Sequence, residues 1–458
     1  MCDVLKKNSI LTVNVEDITD LGFGVARHDG KVIFIADTVP GDVAEIKIIK
    51  DNASYLIARL EQLITPSCER VYDRCKECYC HACAYKNISY EHEARLKEEG
   101  VRRLFTPLGI QTLPIKKSVS ERRYRNKAQY PITLTKNGYS IGYFAPKSHR
   151  VSPISDCELT PAIFTDIINI CKLYFTKHSV SVYDEKSGTG LLRHIYLRRG
   201  ETSSEVLLCL VINGESIPSA EELVSAVRER HPEVVGILLN VNCENTNVIL
   251  GKRYITLFGR DYIFDTLCGV RLKITAQSFY QVNRATAEVL YKEALRFADP
   301  NPSDTLLDLY CGTGSIGLSM AHKVRELIGI EIVESAVLCA RENADANGIK
   351  NAHFFTGDAK NTEVLLSTAE RELQRKIDPD IIILDPPRAG LAPELIKFVS
   401  SKNPRKIVYI SCNPKTLARD TREFMSLGYT ASEVLPVDMF PGTGHVESVV
   451  CLTRRLDN

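Results

Sequence analysis

Over residues 9–62, apolar and β-branched positions come in short runs at 10–15, 31–35, 42–50 and 53–61, broken by turn signals such as Asp29-Gly30 and Pro40-Gly41. Short strands at this spacing predict a five-stranded OB-like barrel over residues 1–62. A charged helix is expected at about 90–105, and a mixed α/β region with several strand-like segments runs to about residue 270. From there the pattern changes. Short apolar runs at 306–309, 327–330, 381–384 and 407–410 suit buried parallel strands, and helical stretches at 317–322, 334–347 and 393–399 lie between them. This alternation predicts a doubly wound sheet over 271–458, with ligands at the carboxyl ends of its strands. The chain thus reads as three units, 1–62, 63–270 and 271–458.

Composition narrows the class. With 44% hydrophobic and 25% charged residues in 458, this is an ordinary globular chain. No apolar run approaches the roughly 18 residues needed to span a bilayer. The N-terminus lacks the apolar stretch of a signal peptide. A cytoplasmic protein with no membrane partner is expected, its fifteen cysteines mostly reduced. In that setting the dense group at 68–83 means metal more often than disulfide. Net charge is only +1, but between Lys116 and Arg150 nine Lys/Arg residues face one acid, Glu121. Tyr124, Tyr130, Tyr139, Tyr143 and Phe144 lie among them. Cations can neutralise phosphates and aromatic faces can stack on bases, so this segment is either an RNA-facing surface or a solvated basic strand face.

Leu307-Asp308-Leu309-Tyr310-Cys311-Gly312-Thr313-Gly314-Ser315-Ile316-Gly317 reads as strand, glycine loop and helix start. Glu331 ends the next strand, placed to accept from ribose hydroxyls. The glycines also fit the dinucleotide pattern G-x-G-x-x-G, which makes a nicotinamide oxidoreductase a competitor. Asp308 at the strand end, and Gly357-Asp358-Ala359 after a third strand, favour a methyltransferase, in which Asp358 would sit near the adenine amino group.

After the fourth and fifth strands come Asp385-Pro386-Pro387-Arg388 and Ser411-Cys412-Asn413-Pro414, on the same edge as the glycine loop. Asn413 suits a helix N-cap and Pro414 the first turn, so Cys412 stands just before a helix N-terminus whose partial charge favours thiolate. A thiolate beside a methyl donor answers a specific difficulty. Carbon 5 of uracil is a poor nucleophile until a thiolate adds at carbon 6. A base must then remove the carbon 5 proton, and Glu447 in His445-Val446-Glu447-Ser448 is the candidate. The alternative for Cys412 is a small buried core residue.

Ile410-Ser411-Cys412-Asn413-Pro414-Lys415-Thr416-Leu417-Ala418-Arg419-Asp420 closely resembles the nucleophile motif of bacterial RNA uracil-5-methyltransferases. Asp385-Pro386-Pro387-Arg388, His445-Val446-Glu447, Gln277-Ser278-Phe279-Tyr280-Gln281-Val282-Asn283, Arg123-Tyr124-Arg125-Asn126-Lys127-Ala128-Gln129 and Gly190-Leu191-Leu192-Arg193-His194 resemble its companion motifs. The resemblance covers nearly the whole chain. It implies a TRAM domain, a central RNA-binding domain and a Rossmann-like catalytic domain that uses S-adenosylmethionine. It further implies Cys412 as nucleophile and Glu447 as base. Gln277, Tyr310, Glu331, Asp358 and Asp385 take cofactor-contacting positions, and Ser315 stands where some relatives carry asparagine.

Ribosomal members of that family hold an iron–sulfur cluster on four cysteines, three of them spaced C-x5-C-x2-C. Here Cys75-x4-Cys80-x2-Cys83 is one residue shorter, Cys68 and Cys78 are extra, and Cys157 would be the remote fourth ligand. Thiolate-only ligation suits [4Fe-4S]. Zinc competes, since Cys75-x2-Cys78 and Cys80-x2-Cys83 form two CxxC pairs, although one residue between the pairs makes that knot awkward. The spacing of a radical enzyme, C-x3-C-x2-C, is absent. The resemblance implies a monomer acting on large-subunit (23S) ribosomal RNA, with transfer RNA as the alternative target. Cytosine-5 methylation would want a Pro-Cys motif, and amine methylation an aromatic after Asp-Pro-Pro. A binding module without catalysis is opposed by the presence of both Cys412 and Glu447.

Overall fold

The computed structural model describes residues 7–72, 74–75, 80, 82–145, 148–359, 361–362 and 364–455. The N-terminal unit is a six-stranded sheet in the spatial order Ile10–Asn14, Val43–Asp51, Tyr55–Thr65, Lys31–Ile35, Gly24–His28 and Asp17–Ile18. Alternation along Val43–Asp51 turns Ala44, Ile46 and Ile48 into a small core with Ile33, Ile35 and Leu56. Gly24–His28 was not read from the pattern, because Arg27 and His28 interrupt its apolar positions.

The central unit is a seven-stranded sheet in the order Val151–Pro153, Gly138–Phe144, Lys127–Thr135, Leu192–Arg199, Val206–Ile212, Val234–Val241 and Arg253–Gly259. Val206–Ile212 is buried along its whole length and pairs in parallel with Val234–Val241. Helices Ala162–Lys177 and Ala220–Arg230 share its core. The aromatics of the basic segment are mainly structural. Tyr124 and Tyr130 are buried, Tyr130 donates to Thr160, and Tyr139 donates to the carbonyls of Phe175 and Val180. Phe144 alone among the five is exposed. The stacking surface expected from the sequence therefore shrinks to that ring.

In the third sheet, counting strands in chain order from Thr305–Leu309 and leaving aside the two-residue Tyr429–Thr430 that pairs with Glu447–Arg454, the spatial order is 3-2-1-4-5-7-6. Strands two to five are Glu326–Glu331, Ala352–Thr356, Ile381–Leu384 and Lys406–Ser411; Glu433–Val437 is sixth and Glu447–Arg454 seventh. The seventh runs antiparallel to the fifth, with Ser411 opposite Ser448. Leu309 is in register with both Ile330 and Leu384, which aligns the carboxyl ends of strands one, two and four. The sheet is completed by residues far upstream: Gln111–Thr112 pairs in parallel with strand six, and helix Tyr90–Phe105 packs Val101 and Phe105 into the same core. No helix among the described residues is long and apolar enough to cross a membrane.

Candidate active site

Strand one ends on Asp308-Leu309-Tyr310. The buried Asp308 accepts the Gly317 N–H at 3.0 Å, which pins helix Ser315–Met320 to the strand end. A Cβ on Gly317 would sit 2.8 Å from that carboxylate oxygen, so the close approach requires glycine. The other oxygen of Asp308 is buried with no protein partner, and burial pushes the group up to about 8. Tyr310 has φ +66°, the left-handed region that a bulky residue enters at a cost of about 1–2 kcal/mol. This turn throws the chain out of the strand and over the cleft. Burial, with Asp358 and Glu331 nearby, pushes the Tyr310 phenol up to about 12.

Glu331 is the hinge of the cofactor cleft. One of its oxygens accepts the Gly312 N–H at 3.1 Å and the other the Val333 N–H at 2.9 Å. Gln277, Gly312 and Glu331 line one cavity of about 320 Å³, together with Phe279 and Val333. A carboxylate and a glycine loop on one apolar-walled cleft fit the ribose and the flat base of an adenosyl group. Ser315 meets the Tyr291 hydroxyl at 3.1 Å.

Cys412 and Glu447, the candidate nucleophile and base, lie one strand further on. Cys412 follows strand five and is partly buried; Glu447 opens strand seven and is 5% exposed. Helix Pro414–Ser426 begins as expected, with Asn413 accepting the Lys415 N–H at 3.2 Å and Pro414 in the first turn. The Asn413 amide also donates to the Arg388 carbonyl at 3.0 Å, which fastens the Asp385–Arg388 loop to the cysteine loop.

The expected thiolate bias is corrected by the surroundings. Burial pushes the Cys412 thiol up, the Glu447 and Asp385 carboxylates add to this, and Arg388 opposes it. Glu447 is itself pushed up to about 8 by burial and by Asp385. Asp385 is pushed up to about 7 by desolvation. The Asp385 carboxylate raises Cys412, Glu447 and Asp308 alike. The helix terminus alone does not decide the state of the thiol. His445 is held neutral by burial and by Arg388, whose guanidinium donates to its Nε2 at 3.2 Å.

Asp420, the last residue of the motif that begins at Ile410, supports this edge of the sheet. It is fully buried and accepts the Leu391 N–H at 2.9 Å and the Tyr409 hydroxyl at 2.7 Å, with Arg419 also bound to it. The sequence signal was available: an acid at helical spacing on a face otherwise apolar, with Leu417 and Phe424 in the core.

Cys75, Cys80, Cys83 and Cys157 line a second cavity of about 290 Å³, with Arg74, Lys86, Arg122, Arg125 and Lys127 at its walls. Burial and the three neighbouring thiols push Cys83 up to about 12. Cys68 is exposed and outside this group, and Cys78 lies outside the described residues. Among the described residues, no three His, Cys, Asp or Glu side chains are spaced as ligands of one metal ion.

This fold and cleft define an S-adenosylmethionine-dependent methyltransferase. Residues 233–455 match the model of the tRNA (uracil-5-)-methyltransferase family, and residues 5–60 match the TRAM domain. An uncharacterized RNA methyltransferase of Oceanobacillus iheyensis is 34% identical over 99% of this chain and 98% of its own. One from Clostridium tetani is 36% identical over 98% of this chain and 97% of its own. The crystal structure of a Pyrococcus abyssi tRNA (uracil-54, C5)-methyltransferase with S-adenosyl-L-homocysteine is similar at a TM-score of 0.77. It shares 26% identity, over 97% of this chain and all of that one. The chain belongs to the RNA uracil-5-methyltransferase family; it is an enzyme, S-adenosylmethionine is its cofactor and RNA its substrate.

Proposed function

We propose that this enzyme methylates carbon 5 of a uridine in large-subunit (23S) ribosomal RNA through a covalent bond between Cys412 and carbon 6. The observation that carries the reading is the meeting of Cys412, Glu447, Asp385 and Arg388 where strands four and five end and strand seven begins. Gln277, Tyr310, Glu331, Asp358 and Asp385 hold S-adenosylmethionine, which when bound supplies the electrophilic methyl group. Arg388 faces the Cys412 sulfur and favours its ionised form, and a protonated Glu447 removes the charge that most opposes it. Thiolate addition at carbon 6 makes carbon 5 nucleophilic. Glu447, once ionised, takes the carbon 5 proton; the electrons close the C5=C6 bond and the sulfur leaves. The target uridine must leave its stack for Cys412 to meet the ring face.

Cys75, Cys80, Cys83 and Cys157 are the proposed ligands of a [4Fe-4S] cluster. Sulfurs on one tetrahedral zinc would lie within about 4 Å of one another. Four thiols spread around a cavity, with cations at its walls, suit a larger anionic cluster better. Such a cluster supplies a covalent staple, and the cysteine-bearing segment with the barrel favours a ribosomal target. Transfer RNA is the second reading, favoured by the similarity to the Pyrococcus abyssi enzyme. Action as a cytoplasmic monomer completes the proposal.

The test is methylation of ribosomal and transfer RNA transcripts, with the product nucleoside identified by mass spectrometry. 5-Methyluridine in the large-subunit transcript alone supports the reading; 5-methyluridine in transfer RNA alone moves the address. A modified cytidine would overturn the chemistry.

A further inference from the structure

The connection between strands six and seven, residues 438–446, carries His445 and delivers Glu447 to the cleft. It is held by a chain of buried charges contributed by parts of the sequence more than three hundred residues upstream. The Lys97 ammonium, 1% exposed, donates to Glu93 at 2.7 Å, to Asp438 at 2.7 Å and to the Phe440 carbonyl at 3.1 Å. Its three N–H donors thus have three acceptors. Glu93 also accepts the Gly442 N–H at 2.7 Å and Arg74 at 2.5 Å, and Asp438 accepts the Phe440 N–H at 3.1 Å. Two backbone points on the connection, Phe440 and Gly442, are therefore fixed through one ammonium and one carboxylate. Beyond them Gly444 passes so close to the barrel that a Cβ would lie 2.1 Å from the Asp20 carbonyl oxygen.

Burying four charges is expensive, and apolar side chains of the same volume would fill this space at less cost. What apolar filling would not supply is direction at Phe440 and Gly442. We infer that the Arg74–Glu93–Lys97–Asp438 chain positions the connection so that Glu447 reaches the carbon 5 proton of the methylated adduct. The inference rests on the reading of Glu447 as the base. In that step the C5–H electrons close the C5=C6 bond, the C6–S bond breaks, and Cys412 departs as thiolate while Glu447 holds the proton. Addition of Cys412 to carbon 6 needs no such alignment. Loosening the chain should therefore slow release and spare capture, since a displacement of about 1 Å can cost on the order of 100-fold in a proton transfer.

The test uses the full-length protein with Lys97→Met and Asp438→Asn combined, which removes one charge of each sign and leaves Arg74 paired with Glu93. A folded variant is expected to bind S-adenosylmethionine as the wild type does and to trap 5-fluorouridine RNA at a similar rate. Turnover on ordinary RNA should fall about 100-fold, with covalent protein–RNA adduct accumulating. Unchanged turnover overturns the inference. So does a loss of turnover matched by an equal loss of trapping with no adduct, the pattern of a general structural defect. Should the double variant not fold, Asp438→Asn alone, which keeps the shape, is judged by the same outcomes. Glu447→Gln runs in parallel. If it accumulates adduct and the chain variants do not, the positioning role fails by itself; if it accumulates none, the base assignment fails.

Discussion

Two regions of this molecule set cysteine among other titratable groups in a partly buried setting, and they treat sulfur in opposite ways. Around Cys83 the neighbours that raise the thiol are other thiols, Cys157, Cys80 and Cys75, with cations at the cavity wall. Around Cys412 the neighbours are proton carriers: Glu447 and Asp385 raise it and Arg388 lowers it. Burial is the largest cause in both places. The difference lies in what else can hold a proton. A thiol among thiols can lose its charge problem only to a metal, whereas a thiol between two carboxyls and a guanidinium can exchange protons as a reaction proceeds. Burial of a cysteine is thus a poor guide to its role, and the titratable company it keeps is a good one.

The largest expected effect breaks that contrast directly. Cys412→Ala should lower methylation by at least about 10⁴-fold, because no other group here can add to carbon 6. It should also abolish the covalent species with 5-fluorouridine RNA, seen as a shifted band on a denaturing gel. Cys83→Ser should instead release iron and lower thermal stability, read by metal analysis and a melting curve. Any folded fraction of Cys83→Ser should still trap the fluorinated RNA. If Cys83→Ser kept full iron, or Cys412→Ala kept methylation, the division of labour between the two regions would collapse.

Glu447→Gln comes next. Turnover should fall by about 10² to 10⁴-fold, the range for losing a general base, while single-turnover adduct formation persists. In the wild type, release should quicken with rising pH as Glu447 ionises near about 8, and this limb should vanish in the variant. Smaller again is Glu331→Ala. It removes one carboxylate from the cofactor cleft and the acceptor of the Gly312 and Val333 N–H groups. Loss of charged hydrogen bonds worth about 1.5–3 kcal/mol should weaken S-adenosylmethionine binding roughly 10- to 100-fold by calorimetry, with little change in trapping once cofactor saturates.

How much of this was legible in the sequence follows the range of the interactions. Ile381–Leu384 was read residue for residue, since four consecutive apolar positions leave a buried parallel strand little alternative. Helix Tyr90–Phe105 was read to its ends, because Ser89 caps it and charge fills its outer face. Helix Arg284–Ala298 was passed over, its N-cap Asn283 having been noticed only as the last residue of a motif. The strand-end residues of the site are placed by local spacing; of the five expected cofactor contacts, Gln277 and Glu331 line the cleft cavity, whereas Tyr310, Asp358 and Asp385 do not. Lys97 with Asp438 was not legible: the partners are 341 residues apart, and each taken alone looks like a solvated charge. The same holds for Gln111–Thr112, too short for any periodicity and yet an edge strand of the catalytic sheet.

The smallest expected effect is on stability, and at the catalytic edge its sign follows from three buried acids. Asp308, Asp385 and Glu447 all have folded-state values raised above those of a solvated carboxyl, to about 8, about 7 and about 8. Between their ordinary range and those values the folded protein binds more protons than the unfolded chain. The free energy of unfolding must therefore fall as pH rises through that window. The contribution is fully present below the unfolded-state values and is lost as pH passes the folded ones. Carboxyls with lowered values, such as Glu69 and Glu370, act at more acid pH. The histidines with lowered values, His92, His194 and His445, act in the opposite direction: the unfolded chain holds more protons there, so they add stability as pH rises through the ordinary histidine range around 6.5. Urea unfolding of wild type and Glu447→Gln at pH 6.5 and 8.5 cancels the buried thiols, Lys127 and the histidines common to both, so the difference between the two proteins isolates Glu447. Wild type should lose stability across that interval, and Glu447→Gln should lose less, because a side chain that cannot ionise removes one of the three slopes. The difference should be a kcal/mol or so, about what one unit of differential protonation is worth. An equal loss in both proteins would mean that Glu447 is already ionised at pH 6.5, and the alternation between holding a proton for Cys412 and taking one from carbon 5 would have no basis.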